Sequence, residues 1–62
     1  MSKYYISAEG IYQFYIGNGH DTCDINEARL FDTKEDAEKW VQENEASYPY
    51  NLEFYVCEKK GE

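Results

Sequence analysis

The chain begins with two runs in which large apolar residues alternate with polar ones, the pattern of a β-hairpin. Residues 3–16 read KYYISAEGIYQFYI and are rich in Tyr, Ile and Phe. A three-residue loop at residues 8–10, with Gly10 left-handed in a bulge, pairs Ser7 with Ile11 and gives one apolar face. That face comprises Tyr4, Ile6, Tyr12, Phe14 and Ile16, while Lys3, Tyr5, Ser7, Ile11, Gln13 and Tyr15 point the other way.

A helical pattern occupies the middle of the chain. Thr33 is followed three residues later by Asp36, which predicts a capped helix start at Thr33, with Asp32 as the alternative N-cap. The positions that then recur at helical spacing form one narrow stripe: Ala37, Trp40, Val41 and Asn44. The Tyr-Pro-Tyr sequence at residues 48–50 predicts the helix end, since a residue before proline avoids helical backbone angles.

A last strand follows the helix. In NLEFYVCEK, residues 51–59, the apolar residues Leu52, Phe54 and Val56 alternate with other side chains, and residues 28–31 are compatible with a further short strand. At 62 residues the chain forms a single domain, 1–62. The prediction is an α+β fold of order ββ(β)αβ: a mostly antiparallel three- to four-stranded sheet with one helix packed on one face.

Charge narrows the possible partners. Thirteen acids and six bases give a net charge of −7, which disfavours direct binding of nucleic acid or an anionic membrane and favours a basic protein surface. We call the acidic residues proposed to bind that partner the acidic arc: Asp21, Asp24, Glu27, Glu35, Asp36, Glu38 and Glu43. The alternative interpretation is a solvated face that serves solubility alone.

The helix can cover only one face of the sheet, so the other face is a second candidate interface. Its large side chains are Tyr5, Ile11, Tyr15 and Tyr55, which lie among Ser7, Gln13, Glu53 and Cys57. Tyrosine is enriched at protein interfaces because it has an apolar body and a polar tip, although half-polar solvated sheet faces are also common. We expect a homodimer through this face or through a strand edge, which would reinforce a small domain.

The stretch GNGHDTCD, residues 17–24, contains the single His and one of the two Cys residues. His20 and Cys23 have the H-x-x-C spacing of some zinc ligands, but a site would also need Cys57 and either Asp21 or Asp24. The usual second ligand pair is absent, and a chain this short has little room for a catalytic pocket. We therefore expect reduced thiols, a turn at residues 17–19, caps at Asp21 and Asp24, and neither metal, cofactor nor enzymatic activity.

The segment DINEARLFDTKEDAEKW, which follows the aromatic hairpin, resembles an arrangement found in small acidic phage-encoded proteins. The pattern D-x-x-x-A-x-x-F-x-T-x-x-x-A is carried by Asp24, Ala28, Phe31, Thr33 and Ala37. Its positions are structural and transfer no active-site residue. The resemblance implies a non-enzymatic, stoichiometric inhibitor of bacterial defence, such as CRISPR, restriction or another nuclease or helicase system, with or without mimicry of nucleic acid.

Such an inhibitor would bind a host protein that has a basic, nucleic-acid-binding surface, in the host bacterial cytoplasm. No apolar run approaches the roughly 20 residues of a membrane helix, which agrees with that location. The alternative is a structural or protein-interaction module that dimerises through its Tyr-rich sheet face and has no inhibitory role.

Overall fold

The computed structural model describes residues 2–48 and 51–59, which form a four-stranded antiparallel sheet with a helix packed on one face. The elements in chain order are β1 (Lys3–Glu9), β2 (Gln13–Ile16), β3 (Asp21–Thr22), α1 (Lys34–Asn44) and β4 (Glu53–Lys59). Short 3-10 turns lie at Ile25–Glu27 and Glu45–Ser47. The strand order is β3-β2-β1-β4, and the predicted α+β class is confirmed.

The fourth strand is not where residues 28–31 suggested. Ala28 and Phe31 make only isolated bridges, to Gly17 and Tyr4 respectively. The extra strand is the two-residue β3, which pairs with the end of β2 through Ile16 and Asp21. Residues 28–31 thus run along the sheet as a connection, where Phe31 exchanges both backbone hydrogen bonds with Tyr4.

The register of the first hairpin differs from the predicted one. Ser7 lies opposite Tyr15 rather than Ile11, so the loop is residues 10–12. The predicted left-handed conformation of Gly10 is also wrong, because the positive φ angle within the described ranges belongs to Gly19, at 85°. The loop shifts by two residues, which preserves the two faces because side chains alternate with period two.

The core lies between α1 and the face of the sheet that carries Ile6. Its buried residues are Ile6, Ala8, Phe14, Ile16, Phe31 and Ala37. Ala8, which the sequence pattern had placed in the loop, is fully buried between Phe14 on β2 and Phe54 on β4. Tyr12, predicted on the apolar face, lies instead in the loop and is 65% exposed. A small residue between two phenylalanines leaves room for the helix to approach at Ala37.

Local chemistry sets the ends of α1. The Thr33 hydroxyl accepts a hydrogen bond from the Asp36 backbone N–H at 3.1 Å, which confirms the predicted cap. Asp32 forms an ion pair with Lys3 instead of capping. At the other end α1 stops at Asn44, whose side-chain amide donates to the Trp40 carbonyl at 2.8 Å, and the Glu45–Ser47 turn follows. The predicted helix end at residues 48–50 includes Pro49 and Tyr50, which lie outside the described residues.

Across the described part of the chain, no helix has both the length and the apolar character needed to cross a membrane.

Candidate protein-binding surfaces

The structure divides the acidic arc into two groups. Four of its seven members are exposed residues of α1, which we call the acidic helix face: Glu35, Asp36, Glu38 and Glu43. The other three, Asp21, Asp24 and Glu27, lie in β3 and in the turn that follows it. The predicted arc is therefore two separate sets of carboxylates.

The acidic helix face points away from the stripe of α1 that packs on the sheet. Asp36 and Glu43 border a groove of about 370 Å³ between α1 and residues 29–32, beside Trp40. Glu38 borders the opposite flank of the helix, next to Phe54 of β4. The ion pair between permanently charged groups found among residues 2–48 and 51–59 is Lys3–Asp32, and the other close contact of a carboxylate with a basic side chain is His20–Glu27. The four helix carboxylates thus present their charge to solvent.

The acids of the turn after β3 accept local hydrogen bonds. Asp24 accepts from the Asn26 N–H at 2.9 Å, which confirms its predicted role as a cap. Glu27 accepts from the Thr22 hydroxyl at 3.0 Å, and its carboxylate lies 3.9 Å from His20 Nε2. These carboxylates shape the turn, which makes them less available to a partner than the helix acids.

Asp21 has a different role from the predicted cap. It is a strand residue whose carboxylate accepts a hydrogen bond from the Tyr48 hydroxyl at 3.1 Å. The Tyr48 ring packs edge-on against Phe54, with centroids 5.5 Å apart. Burial, followed by the bond to Asp21 and its charge, raises the pKa of Tyr48 to about 12. This contact ties the β3 edge of the sheet to the segment that follows α1.

Burial of the Tyr48 hydroxyl, together with its bond to Asp21, makes the stability of the fold decrease at alkaline pH. An unfolded tyrosine has a pKa of about 10, and the folded value is about 12, so the stabilisation is complete below pH 10 and is lost as pH rises from 10 to 12. We expect wild type to be about 1 kcal/mol more stable than Tyr48→Phe at pH 8 and to lose most of that advantage by pH 11. Urea unfolding at both pH values measures it.

The control is Tyr12→Phe, which removes a hydroxyl from an exposed ring. Its stability relative to wild type should be the same at pH 8 and pH 11. An equal pH response in the two variants would show that the bond to Asp21 is not responsible.

The face of the sheet opposite the helix forms a shallow, tyrosine-lined surface. We call it the tyrosine face: Tyr5, Ser7, Gln13, Tyr15, Tyr55 and Cys57, with Glu9 at its margin. Tyr5 and Tyr15 meet edge-to-face with ring centroids 5.8 Å apart. Ser7 is only 4% exposed between Tyr15 and Tyr55, and its hydroxyl accepts from Gln13 Nε2 at 3.0 Å. The face is preorganised, since its rings and polar groups already contact one another.

Two hydroxyls on this face have raised pKa values. For Tyr5 the first cause is burial and the second is the neighbouring Cys57 thiol. The Tyr55 hydroxyl donates to the Glu53 carboxylate at 2.6 Å, and this bond raises the pKa of Tyr55. The raised pKa extends the neutral form of both tyrosines to higher pH.

Ile11, predicted to belong with these tyrosines, lies in the hairpin loop and is 89% exposed. With Tyr12, Phe14 and Leu52 it lines a small apolar cleft of about 60 Å³ at the end of the sheet. The sequence pattern missed this exposed tip, because its position depends on the hairpin register, which alternation alone does not define.

The residues of the metal-or-thiol hypothesis are not brought together. Cys23 follows β3 and Cys57 lies on β4, with β2 and β1 between them. At about 4.8 Å per strand spacing these edges are roughly 14 Å apart, beyond the reach of a disulfide. Both thiols are free. Over residues 2–48 and 51–59, no three His, Cys, Asp or Glu side chains are arranged to hold a metal ion.

Comparison with protein-family models, with curated proteins and with solved structures finds no match for this chain.

Proposed function

We propose that this chain is a stoichiometric, non-enzymatic inhibitor of a bacterial defence enzyme, and that its acidic helix face covers a basic, nucleic-acid-binding surface on that enzyme. The observation that carries the proposal is the set of four exposed carboxylates on one helix, with no ion-pair partner in the described ranges. Such unneutralised charge attracts a basic surface over several ångströms and speeds the encounter.

The spacing of these charges supports competition with nucleic acid. Residues 35–43 span about 12 Å of helix axis, so the four carboxylates are on average about 4 Å apart along that axis. A single DNA strand carries one phosphate per about 3.4 Å. Lys34 and Lys39 lie on the same helix and interrupt the row, so the mimicry is of local charge density and not of a continuous backbone.

The groove beside α1 is lined mostly by charged side chains, among them Arg29 and Lys39, but it also contains apolar contact area. Leu30 is 42% exposed and lines the groove together with the half-buried Trp40. Asp36 and Glu43 form part of its border. Desolvated aromatic residues surrounded by polar ones dominate the affinity of many interfaces, so we assign Trp40 as the anchor and the acids as the steering groups.

The phage-type resemblance supplies the proposed biological class and the location, the cytoplasm of the bacterial host. The residues of the shared motif have structural roles in this fold. Ala28, Phe31 and Ala37 are buried, and Thr33 and Asp24 are N-caps. Because these residues build the scaffold, the choice of target depends on the exposed side chains.

Charge reversal at Glu38 and Glu43 tests the proposal. Both lie outside the first helical turn, and a lysine at position 43 suits the helix C-terminus, so Glu38→Lys/Glu43→Lys should fold normally. We expect tagged wild type to capture a basic nucleic-acid enzyme from bacterial lysate at low salt and to release it at high salt. The double variant should capture at least tenfold less, and should fail to restore phage plating on a host that carries the defence system.

Glu58→Lys is a charge-reversal control outside the helix, since Glu58 is an exposed residue of β4. It should bind and inhibit like wild type. Undiminished inhibition by the double variant would contradict the proposal. Full inhibition at far less than one chain per enzyme would contradict the stoichiometric mode.

A further inference from the structure

The pairing of β1 with β4 produces an unusual charge pattern on the tyrosine face. Their ladder places Lys3 opposite Lys59 at one end and Glu9 opposite Glu53 at the other. Like charges directly opposite one another on a sheet are destabilising. The Lys3 ammonium pairs with Asp32, and the Glu53 carboxylate accepts a hydrogen bond from the Tyr55 hydroxyl. One end of the β1–β4 pair is still basic and the other end is acidic, with the tyrosines between them.

We propose that the tyrosine face is the interface of a symmetric homodimer in which two sheets stack with their strands antiparallel. The two-fold axis lies between the sheets, perpendicular to the strands, at the level of Ile6 and Val56, which are paired in the ladder. This operation places Lys3 over Glu9 of the second copy. It also places Lys59 over Glu53 of the second copy, so each like-charge pair meets its opposite.

The same axis matches large side chains with small ones. Tyr5 lies over Ser7 of the second copy, and Tyr55 lies over Cys57. Tyr55 is 44% exposed and Cys57 is half-buried. Tyr5 is half-buried and Ser7 is 4% exposed, so each ring faces a smaller and less exposed side chain. Interdigitation of this kind is how two sheets pack at a spacing of about 10 Å.

The alternative two-fold axis, parallel to the strands, gives a repulsive arrangement. It would stack β1 of one copy on β4 of the other, with Lys3 on Lys59 and Glu9 on Glu53. Unfavourable charge contacts of this type exclude competing geometries. The charge pattern therefore selects one orientation.

The interface is small. Seven residues of strand span about 23 Å, and the four strands span roughly 14 Å, so the footprint is roughly 300 Å² per copy, below that of stable specific complexes. We expect a dimer that dissociates on dilution and is weakened by salt. Because this surface is separate from the acidic helix face, the dimer and the proposed inhibition are tested independently.

Two complementary charge reversals test the dimer. Lys59→Glu places a carboxylate opposite Lys3 within the chain but against Glu53 of the second copy. Glu53→Lys places an ammonium opposite Glu9 within the chain but against Lys59 of the second copy. Each variant turns a like-charge cross-strand pair into an attractive one, although Glu53→Lys also removes the acceptor of the Tyr55 hydroxyl. Association of the two variants with each other distinguishes loss of the contact from unfolding.

Sedimentation equilibrium gives the readout. Wild type, 7.3 kDa as a single chain, should rise toward twice that mass with concentration, and each variant should associate at least about tenfold more weakly. An equimolar mixture of the two variants should associate again, because both of its charge contacts are attractive. Lys39→Glu and Glu45→Lys, on the helix side, should behave like wild type. Wild type that stays monomeric to millimolar concentration, or a mixture that stays monomeric, would overturn the proposal.

Discussion

Ile6→Ala is expected to remove about half of the free energy of unfolding of this chain at 25 °C. Ile6 is fully buried on β1, which has β2 on one side and β4 on the other. Truncating a buried isoleucine to alanine costs about 2–5 kcal/mol, because the lost apolar burial is compounded by a cavity. At about 0.05–0.15 kcal/mol per residue, a domain of this length has only roughly 3–9 kcal/mol of stability, so the substitution removes about half of it.

Ile11→Ala provides the same chemical change at an exposed position. Ile11 is 89% exposed in the hairpin loop, and surface substitutions usually change stability by no more than about 0.5 kcal/mol. Urea unfolding followed by the fluorescence of Trp40 compares the two variants. Equal losses at the two positions would contradict the burial of Ile6 and the exposure of Ile11.

Gly17→Ala is expected to destabilise the chain by about 2 kcal/mol through a backbone clash. A Cβ at this position would lie 2.6 Å from the His20 carbonyl oxygen and 3.3 Å from the Glu27 carbonyl oxygen. Neither oxygen can rotate away as a side chain would. The Gly17 N–H donates to that same His20 carbonyl at 2.8 Å, so relieving the clash would weaken the β2–β3 turn.

Gly19→Ala separates this clash from backbone strain. Gly19 has a φ of 85°, and nothing lies within 4 Å of a Cβ placed there. Its substitution should cost about 1 kcal/mol, the penalty for a left-handed alanine. Urea unfolding of both variants is the measurement, and a Gly17→Ala loss no larger than that of Gly19→Ala would contradict the proposed clash.

The helix could be predicted because its signals are local. The Thr33 cap requires only the N–H of Asp36, three residues later. The stripe that contains Ala37, Trp40 and Val41 follows from helical spacing, and these residues do pack on the core. Caps and helical contacts join residues three or four positions apart, so they depend mainly on the local sequence.

The hairpin register could not be predicted from alternation. Pairing Ser7 with Ile11 and pairing Ser7 with Tyr15 both keep the same faces, because the two registers differ by an even shift. The observed register extends β1 to Glu9, so that it pairs with β4 over its full length. The additional pairing joins β1 to residues more than forty positions away. The sequence of the hairpin alone contains no information about that pairing.

The candidate sites also combine features that the sequence predicts with features that depend on the tertiary structure. Composition predicts an acidic chain, but the structure separates the four helix acids from Asp24 and Glu27, which shape a turn. Ile11 leaves the tyrosine face because the loop shifts. The like-charge pairs Lys3–Lys59 and Glu9–Glu53 arise only when the first and last strands become neighbours.

The sequence by itself determined the α+β class, the helix with its N-cap, the inward and outward faces of the strands, and the net charge, because each depends on spacing or composition. Only the tertiary structure decided the strand order, the register, the β3 edge strand and which charges lie together. Those features are set by pairing between distant segments, whose free energy depends on burial and hydrogen bonding across the whole sheet.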